Sequence, residues 1–148
     1  LSVMKVFVSL PDVHEVLMHG PAKSSILTKE GIQVDLRVVE EESYGAALVY
    51  FTGSKAHNIR LREMAMKAGM KINEYGIFRE SGNKKLGGRD EEDVYRLLGL
   101  PYIEPELRED TGEIEAAIEG NLPELIGLKD IRGDLHVHSW MSDGSNTI

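Results

Sequence analysis

Apolar and polar positions alternate along this chain with two distinct periods, and the period changes several times. Val3, Met4, Phe7 and Val8 recur at helical spacing, and Pro11 closes that helix. VHEVLMHG (13–20) reads as a strand, and KSSILTKEGIQVDLRVV (23–39) as two strands joined at Glu30-Gly31. In the second of these, Ile32, Val34, Leu36 and Val38 fall on one face, so Asp35 and Arg37 share the other. SYGAALVYFTGS is a compact apolar segment that breaks at Thr52-Gly53-Ser54. Ser54 is a suitable N-cap for a helix from about Lys55 to Ala68, with Gly69 as its stop and Leu61, Met64, Ala65 and Ala68 as its buried stripe. Lys55, Asn58 and Arg62 share the polar face of that helix. KINEYGIFRE (71–80) is strand-like, and SGNKKLGGRD is a loop or short hairpin. Asp90 is placed to cap a short helix, DEEDVYRLLG, closed by Gly99 and Pro101. Residues 101–113 read as a connector, GEIEAAIEG (112–120) as a short acidic helix, and DIRGDLHVHS as the start of a new strand. No internal repeat interrupts this order.

Composition narrows the class. At 148 residues, with 41% hydrophobic and 28% charged positions, the chain is of ordinary globular type and long enough for one domain or two small subdomains. No apolar run has the length of a membrane span, and LSVMKVFVSL lacks the basic region and cleavage site of a signal peptide. Cysteine is absent, so any metal must be held by His, Asp or Glu, and a cytoplasmic protein is expected. The formal net charge of −8 argues against nucleic acid only until its distribution is seen. Residues 54–89 carry nine Lys/Arg against three Asp/Glu, between an acidic first third and a strongly acidic tail. Such a basic block suits a phosphate-binding surface, and equally a solvated helix face.

Three groups of residues carry candidate chemistry. A carboxylate on a sheet face, Asp35, is a Mg²⁺ ligand type, yet Mg²⁺ in phosphoryl transfer needs more than one carboxylate, and a surface pair with Arg37 explains it as well. In YFTGSKAHNIRLR (50–62), Gly53 frees the backbone just before a helix start, whose unpaired N–H groups and positive dipole end suit an anion. Tyr50 and Phe51 are then either a platform for a sugar or base, or an aromatic pair in the core. In the tail, Asp134, His136 and His138 alternate onto one strand face, and Asp143 follows as a further ligand type. Residues 131–148 alone are too few to complete a catalytic metal cage.

The segments GIQVDLRVV, GAALVYFTGSKAHNIRLREMAMKAGMKINEYGIF, EEDVYRLLGLPYIEPELRE and IRGDLHVHSWMSDG, in that order, resemble the bacterial and archaeal family X DNA polymerases. These are relatives of DNA polymerase beta with a C-terminal polymerase-and-histidinol-phosphatase (PHP) domain. The resemblance covers nearly the whole chain, and YFTGS followed by HN and then NEYGIF is its most specific part. It implies an α+β fold: a partial nucleotidyltransferase palm sheet, a small mixed α/β thumb, and a truncated N-terminal strand of a PHP domain. The implied boundaries are palm 1–39, thumb 40–103, a linker with a short helix 104–130, and the PHP start 131–148.

The resemblance also implies roles. Asp35 would be the third palm carboxylate and a Mg²⁺ ligand. Arg37 would be the palm arginine whose pairing changes as the enzyme opens and closes, with Glu74 as partner. Tyr50, Phe51, Thr52 and Gly53 would lie beside the incoming nucleotide's sugar. Asn58 would read that nucleotide's minor-groove edge, and Lys55 would interact with it. Arg62 would contact the template strand, while Asn73 and Tyr75 would support the pocket. His136, His138 and Asp143 would belong to an incomplete PHP site for Zn²⁺ or Mn²⁺. The family's G-D-x-D carboxylates and its Gly-Ser triphosphate motif are not in this sequence.

The resulting expectation is a palm–thumb fragment of a template-directed DNA repair polymerase, binding template–primer and a deoxynucleoside triphosphate, nucleoid-associated, and inactive by itself. A fragment of a metal-dependent phosphoesterase or 3′-exonuclease is the alternative enzyme, and a non-catalytic DNA-binding module the alternative from another class. An exposed palm surface offers a route to self-association.

Overall fold

The computed structural model describes residues 3–133 and 138–147. Its first unit is the helix α1 (Val3–Val8) and an antiparallel sheet in the order β1 (Val13–His19), β2 (Lys23–Thr28), β3 (Gln33–Arg37). β2 is the central strand, and Ser24, Ser25 and Ile26 are buried there, as is Met4 of α1. The turn expected at Glu30-Gly31 is present, with Gly31 at φ 81° and its N–H donating to Thr28 O at 2.9 Å. Ser25 faces Asp35 and Lys23 faces Arg37 across the β2–β3 ladder, so Asp35 and Arg37 do share a face. The opposite, apolar set on and beside β3 is solvent-accessible at Ile32, Val34 and Val38.

The second unit follows through a short 3-10 turn. It contains α2 (Tyr44–Thr52), α3 (Lys55–Lys67), an antiparallel sheet β4 (Met70–Asn73), β5 (Gly76–Arg79), β6 (Lys85–Gly87), then α4 (Glu91–Leu97) and α5 (Glu113–Glu119). One core joins these elements: Ala46 and Val49 of α2, Leu61 of α3, Ile77 of β5, Val94 and Tyr95 of α4, Leu100 and Ile103, and Ile114 and Ala117 of α5. The apolar segment 43–54 is thus a helix, because Ala46 and Val49 reach the core from one side of it while Tyr44, Leu48 and Phe51, spaced at i, i+4 and i+7, face solvent. Its N-terminus abuts bare backbone: Gly45 N donates to Arg89 O at 2.7 Å and Ala46 N to Gly88 O at 2.9 Å. Those carbonyls satisfy N–H groups that a helix start otherwise leaves unpaired.

Several expectations need correction. KINEYGIFRE is strand-like as expected, and it forms two strands. The Asn73 side chain accepts from Tyr75 N at 2.9 Å and Gly76 takes φ 142°, which folds the segment back as the β4–β5 hairpin. Asp90 holds the N-cap position of α4, but its side chain makes no capping bond. Ala68 is the C-cap of α3 and is exposed, so the buried stripe ends at Ala65. The stretch expected as a connector is packed structure: Arg108 is 0% exposed and Ile103 is buried in the core, which Ile114 and Ala117 of the expected helix α5 complete. The expected strand of the tail falls largely on residues outside those described.

Candidate nucleotide and nucleic-acid interface

The geometry at residues 50–62 follows from how α2 stops and α3 starts. Gly53 N donates to Val49 O at 3.2 Å, ending α2, and Gly53 then takes φ 78° and ψ −151°, a conformation open to glycine and strained for other residues. The Gly53–Ser54 peptide is cis. Ser54 next caps α3, its hydroxyl accepting from His57 N at 3.2 Å, as its position suggested. The side chain of Asn58 donates to Tyr50 O at 2.8 Å, and Arg62 Nε donates to Asn58 O at 3.2 Å. The first bond ties the polar face of α3 to the last turn of α2, and the second, within α3, lays the Arg62 side chain along that face.

Tyr50, Phe51, Thr52, Gly53, Ser54, Lys55, Asn58 and Arg62 line one open cleft of about 310 Å³. Every residue expected beside the nucleotide or the template strand is therefore in a single place. Tyr50 is 39% and Phe51 51% exposed, and their rings meet edge-on with centroids 4.9 Å apart. The core reading of this aromatic pair fails, because Val49 and Ala46 occupy the core side of α2. Two cationic side chains, the start of a 13-residue helix and two accessible rings give the cleft the means to hold an anion joined to a flat or sugar-like group.

A second cleft of about 310 Å³ adjoins Phe51 and is lined by Arg37, Val39, Tyr44, Ala47, Leu48 and Thr52. Arg37 pairs with Glu74 at 3.6 Å, the partner expected for it, and its guanidinium carbon lies 4.9 Å from the centre of the Phe51 ring. Glu74 stands at the tip of the β4–β5 hairpin between Asn73 and Tyr75; of these three only Glu74 meets Arg37, and none lines the nucleotide cleft.

Asp35 is placed differently from Arg37, and the surface pair between them is not formed. The Asp35 carboxylate accepts from the Ser25 hydroxyl and from Gln33 Nε2 at 3.2 Å, and Lys23 Nζ lies at 3.4 Å. The Ser25 hydroxyl first, then Gln33 and Lys23, favour its ionised form and hold its pKa below the usual carboxylate range. Among the described residues no three His, Asp or Glu side chains gather as a metal cage. In the tail, His138 Nδ1 meets the Asp143 carboxylate, while Asp134 and His136 lie outside the described residues.

One buried polar group was not anticipated. His57 is 0% exposed, with Nδ1 2.6 Å from Glu113 Oε1 and Nε2 3.0 Å from the Tyr95 hydroxyl. A carboxylate can only accept, so Nδ1 carries the proton in that bond. Burial alone would push Glu113 up, but the His57 bond and the N–H groups of Asp110 and Thr111, at 2.9 and 2.8 Å, hold it below its ordinary value. Extending the apolar stripe of α3 back from Ala65 and Leu61 by one turn lands on His57, and that spacing was the available signal.

The DNA polymerase beta thumb family matches residues 47–109, which include the cleft. The DNA polymerase/3′-5′ exonuclease PolX of Bacillus subtilis is 38% identical over 148 residues, 99% of this chain and 26% of that protein. The chain belongs to the family X DNA polymerases. DNA polymerase lambda of Rattus norvegicus is 37% identical over 87 residues, 52% of this chain and 15% of its own length. Among solved structures, polymerase beta of Leishmania infantum in a ternary P/T complex is 28% identical with a TM-score of 0.62, covering 71% of this chain and 50% of that one. The chain thus spans about a quarter of the Bacillus relative's length, and its described residues form an α+β fold of two small antiparallel sheets and five α-helices that resembles a region of polymerase beta.

Proposed function

We propose that the cleft at Tyr50–Arg62 binds the incoming deoxynucleoside triphosphate and the adjoining template strand of a repair polymerase that joins nucleotides to a primer 3′-hydroxyl. The single observation that carries this is the convergence of Tyr50, Phe51, Gly53, Lys55, Asn58 and Arg62 in one open, cationic cleft at a helix start. In this reading the rings face the sugar, Lys55 and the N-terminus of α3 face anionic oxygens, Asn58 faces the base edge, and Arg62 faces the template. Residues 1–39 then form palm, the thumb starts at 40 and takes in α5, whose Ile114 and Ala117 share its core, and 131–148 are the start of a PHP domain.

The polymerase reading implies Mg²⁺, and the residues present do not fit it. Asp35 is a lone carboxylate already engaged by Ser25, Gln33 and Lys23, and two-metal transfer requires ligands bridging two ions. The chain by itself is therefore expected to bind nucleotide without polymerising it. Nor do His138 and Asp143 make a Zn²⁺ or Mn²⁺ site by themselves.

The test is an NMR titration of the chain with a deoxynucleoside triphosphate, then with a gapped template–primer. Amide shifts confined to Tyr50–Arg62 are expected. Shifts absent there, or appearing first around His138 and Asp143, refute the reading.

A further inference from the structure

Residues 108–115 meet the first two turns of α3 at four points. Ser54 N donates to Arg108 O at 2.8 Å. His57 Nδ1 donates to Glu113 Oε1 at 2.6 Å. Arg60 Nε lies 3.4 Å from Asp110 Oδ1, and another Arg60 nitrogen pairs with Glu115. Three of these four are side-chain contacts made by α3 to acidic groups of one short segment. None of the acceptors lines the cleft, yet Ser54 does, and His57 directly precedes Asn58, which does.

Glu113 is the hub. Its two oxygens take the His57 proton and the N–H groups of Asp110 and Thr111, so one carboxylate closes the turn before α5 and also grips α3. On its other side the imidazole meets the Tyr95 hydroxyl of α4 at 3.0 Å. An apolar residue at 57 would fill the same space. It would leave α3 freer to rotate about its axis, since apolar contact is not directional and a charge-assisted hydrogen bond is. Rotation of α3 would displace Asn58 and Arg62 within the cleft.

We propose that residues 108–115 form a strap that sets the Gly53 turn and the start of α3, with Glu113, acting through His57, as a positioning residue for the cleft. The strap concerns the free chain; only its effect on nucleotide affinity rests on the function proposed above.

The experiment uses the full chain and the variants Glu113→Gln, His57→Phe and His57→Asn, with Ile77→Val of β5, outside both α3 and the strap, as a core control. Amide hydrogen exchange is read at Ser54, which donates to Arg108 O, and at Asn58, which donates to Ser54 O at 3.0 Å. Exchange at both should rise about tenfold in Glu113→Gln and His57→Phe, the worth of one charge-assisted bond. His57→Asn places a donor where Nδ1 was and should restore most of the protection. Ile77→Val should change exchange evenly across the core. Dissociation constants for a deoxynucleoside triphosphate should follow the same order.

Exchange at Ser54 and Asn58 that stays at the wild-type rate in Glu113→Gln, or rises no more than the core average, overturns the strap. If Glu113→Gln or His57→Phe does not fold, Arg60→Gln and Asp110→Asn, both at partly exposed positions, must show the same local loss to a smaller degree, and their silence overturns it too. A wild-type chain that ignores nucleotide sinks the function proposed above and leaves the exchange result to decide the strap.

Discussion

Gly53 shows how one backbone conformation shapes a cleft. Its φ of 78° with ψ −151° is strained for any residue with a side chain. Gly53→Ala should therefore cost about 1–3 kcal/mol and disorder the turn, read by urea unfolding and by loss of the Asn58 side-chain amide signal. Glu113 makes a second prediction. Its folded value lies below the ordinary one of 4.5, so its stabilising share is complete above the ordinary value and is lost as pH falls through the folded value. Acid unfolding followed by circular dichroism should shift to higher pH in Ile103→Val, while Glu113→Gln should lower neutral stability and flatten the acid limb. At the alkaline end, burial first, and for Tyr102 its bond to Glu91 next, push Tyr95 and Tyr102 up. Protons are then held more tightly in the fold than in the unfolded chain. Stability should fall as pH rises past the ordinary tyrosine value near 10.0, with tyrosinate absorbance for these two appearing together with unfolding. At this scale Ser54, Asn58 and Arg62 were legible from spacing and caps. His57 was not, because a polar residue in an apolar stripe declares itself only when its partners, fifty-six residues on at Glu113 and thirty-eight on at Tyr95, come into view.

Among the elements, α2 depends most on close approach. A Cβ on Gly45 would lie 2.0 Å from the carbonyl carbon of Asp90, so the helix end touches backbone with no room for a methyl group. Gly45→Ala should force α2 away from residues 88–90 and cost roughly 3 kcal/mol, with the thermal midpoint falling and cleft amides shifting, because Tyr50–Thr52 ride on the same helix. The segment was not assigned from its pattern for a related reason. Its apolar residues run almost continuously, since one side meets the core and the other forms the wall of two clefts, and a continuous run carries no period to read. The β4–β5 segment is legible as strand, but its turn is not, because the signal, Asn73 with Gly76, sits inside a run of β-compatible residues. By contrast β1, β2, β3, α3 and α4 were legible in place, each bounded by Gly, Pro or a capping residue.

Across the whole molecule, two ion pairs do different work. Arg108 is 0% exposed, donates from Nε to Ile103 O at 2.9 Å and from a terminal nitrogen to Glu91 at 2.7 Å, and lies over the rings of Tyr95 and Tyr102. Removing one partner of a buried pair costs about 3–5 kcal/mol. Arg108→Met should approach the lower end of that range in urea unfolding, and adding Glu91→Gln should recover part of it because the orphaned partner then carries no charge. Arg37–Glu74 is half exposed and joins the first sheet to the second unit. Arg37→Ala should change stability by less than about 1 kcal/mol yet broaden the distribution of distances between spin labels placed on β1 and α4. The connector reading of 101–113 missed the first pair, since Pro, Glu and Arg in a run suggest solvent and say nothing of aromatic rings waiting to cover a guanidinium.

The bond between His57 and Glu113 spans 56 positions in the chain. A ribosome adds residues in order, so the imidazole is made first and its acid much later. At 5–20 residues per second the interval is roughly 3 to 11 s. Through it, α3 can form and Ser54 can cap it, while the side chain meant for the interior has no acceptor. Newborn chains of this protein therefore pass through a stage in which the cleft residues exist and the strap proposed to set them does not. Synthesis arrested just short of Glu113 should give nascent chains whose Ser54–Arg62 region is cut by protease, and release past α5 should close it.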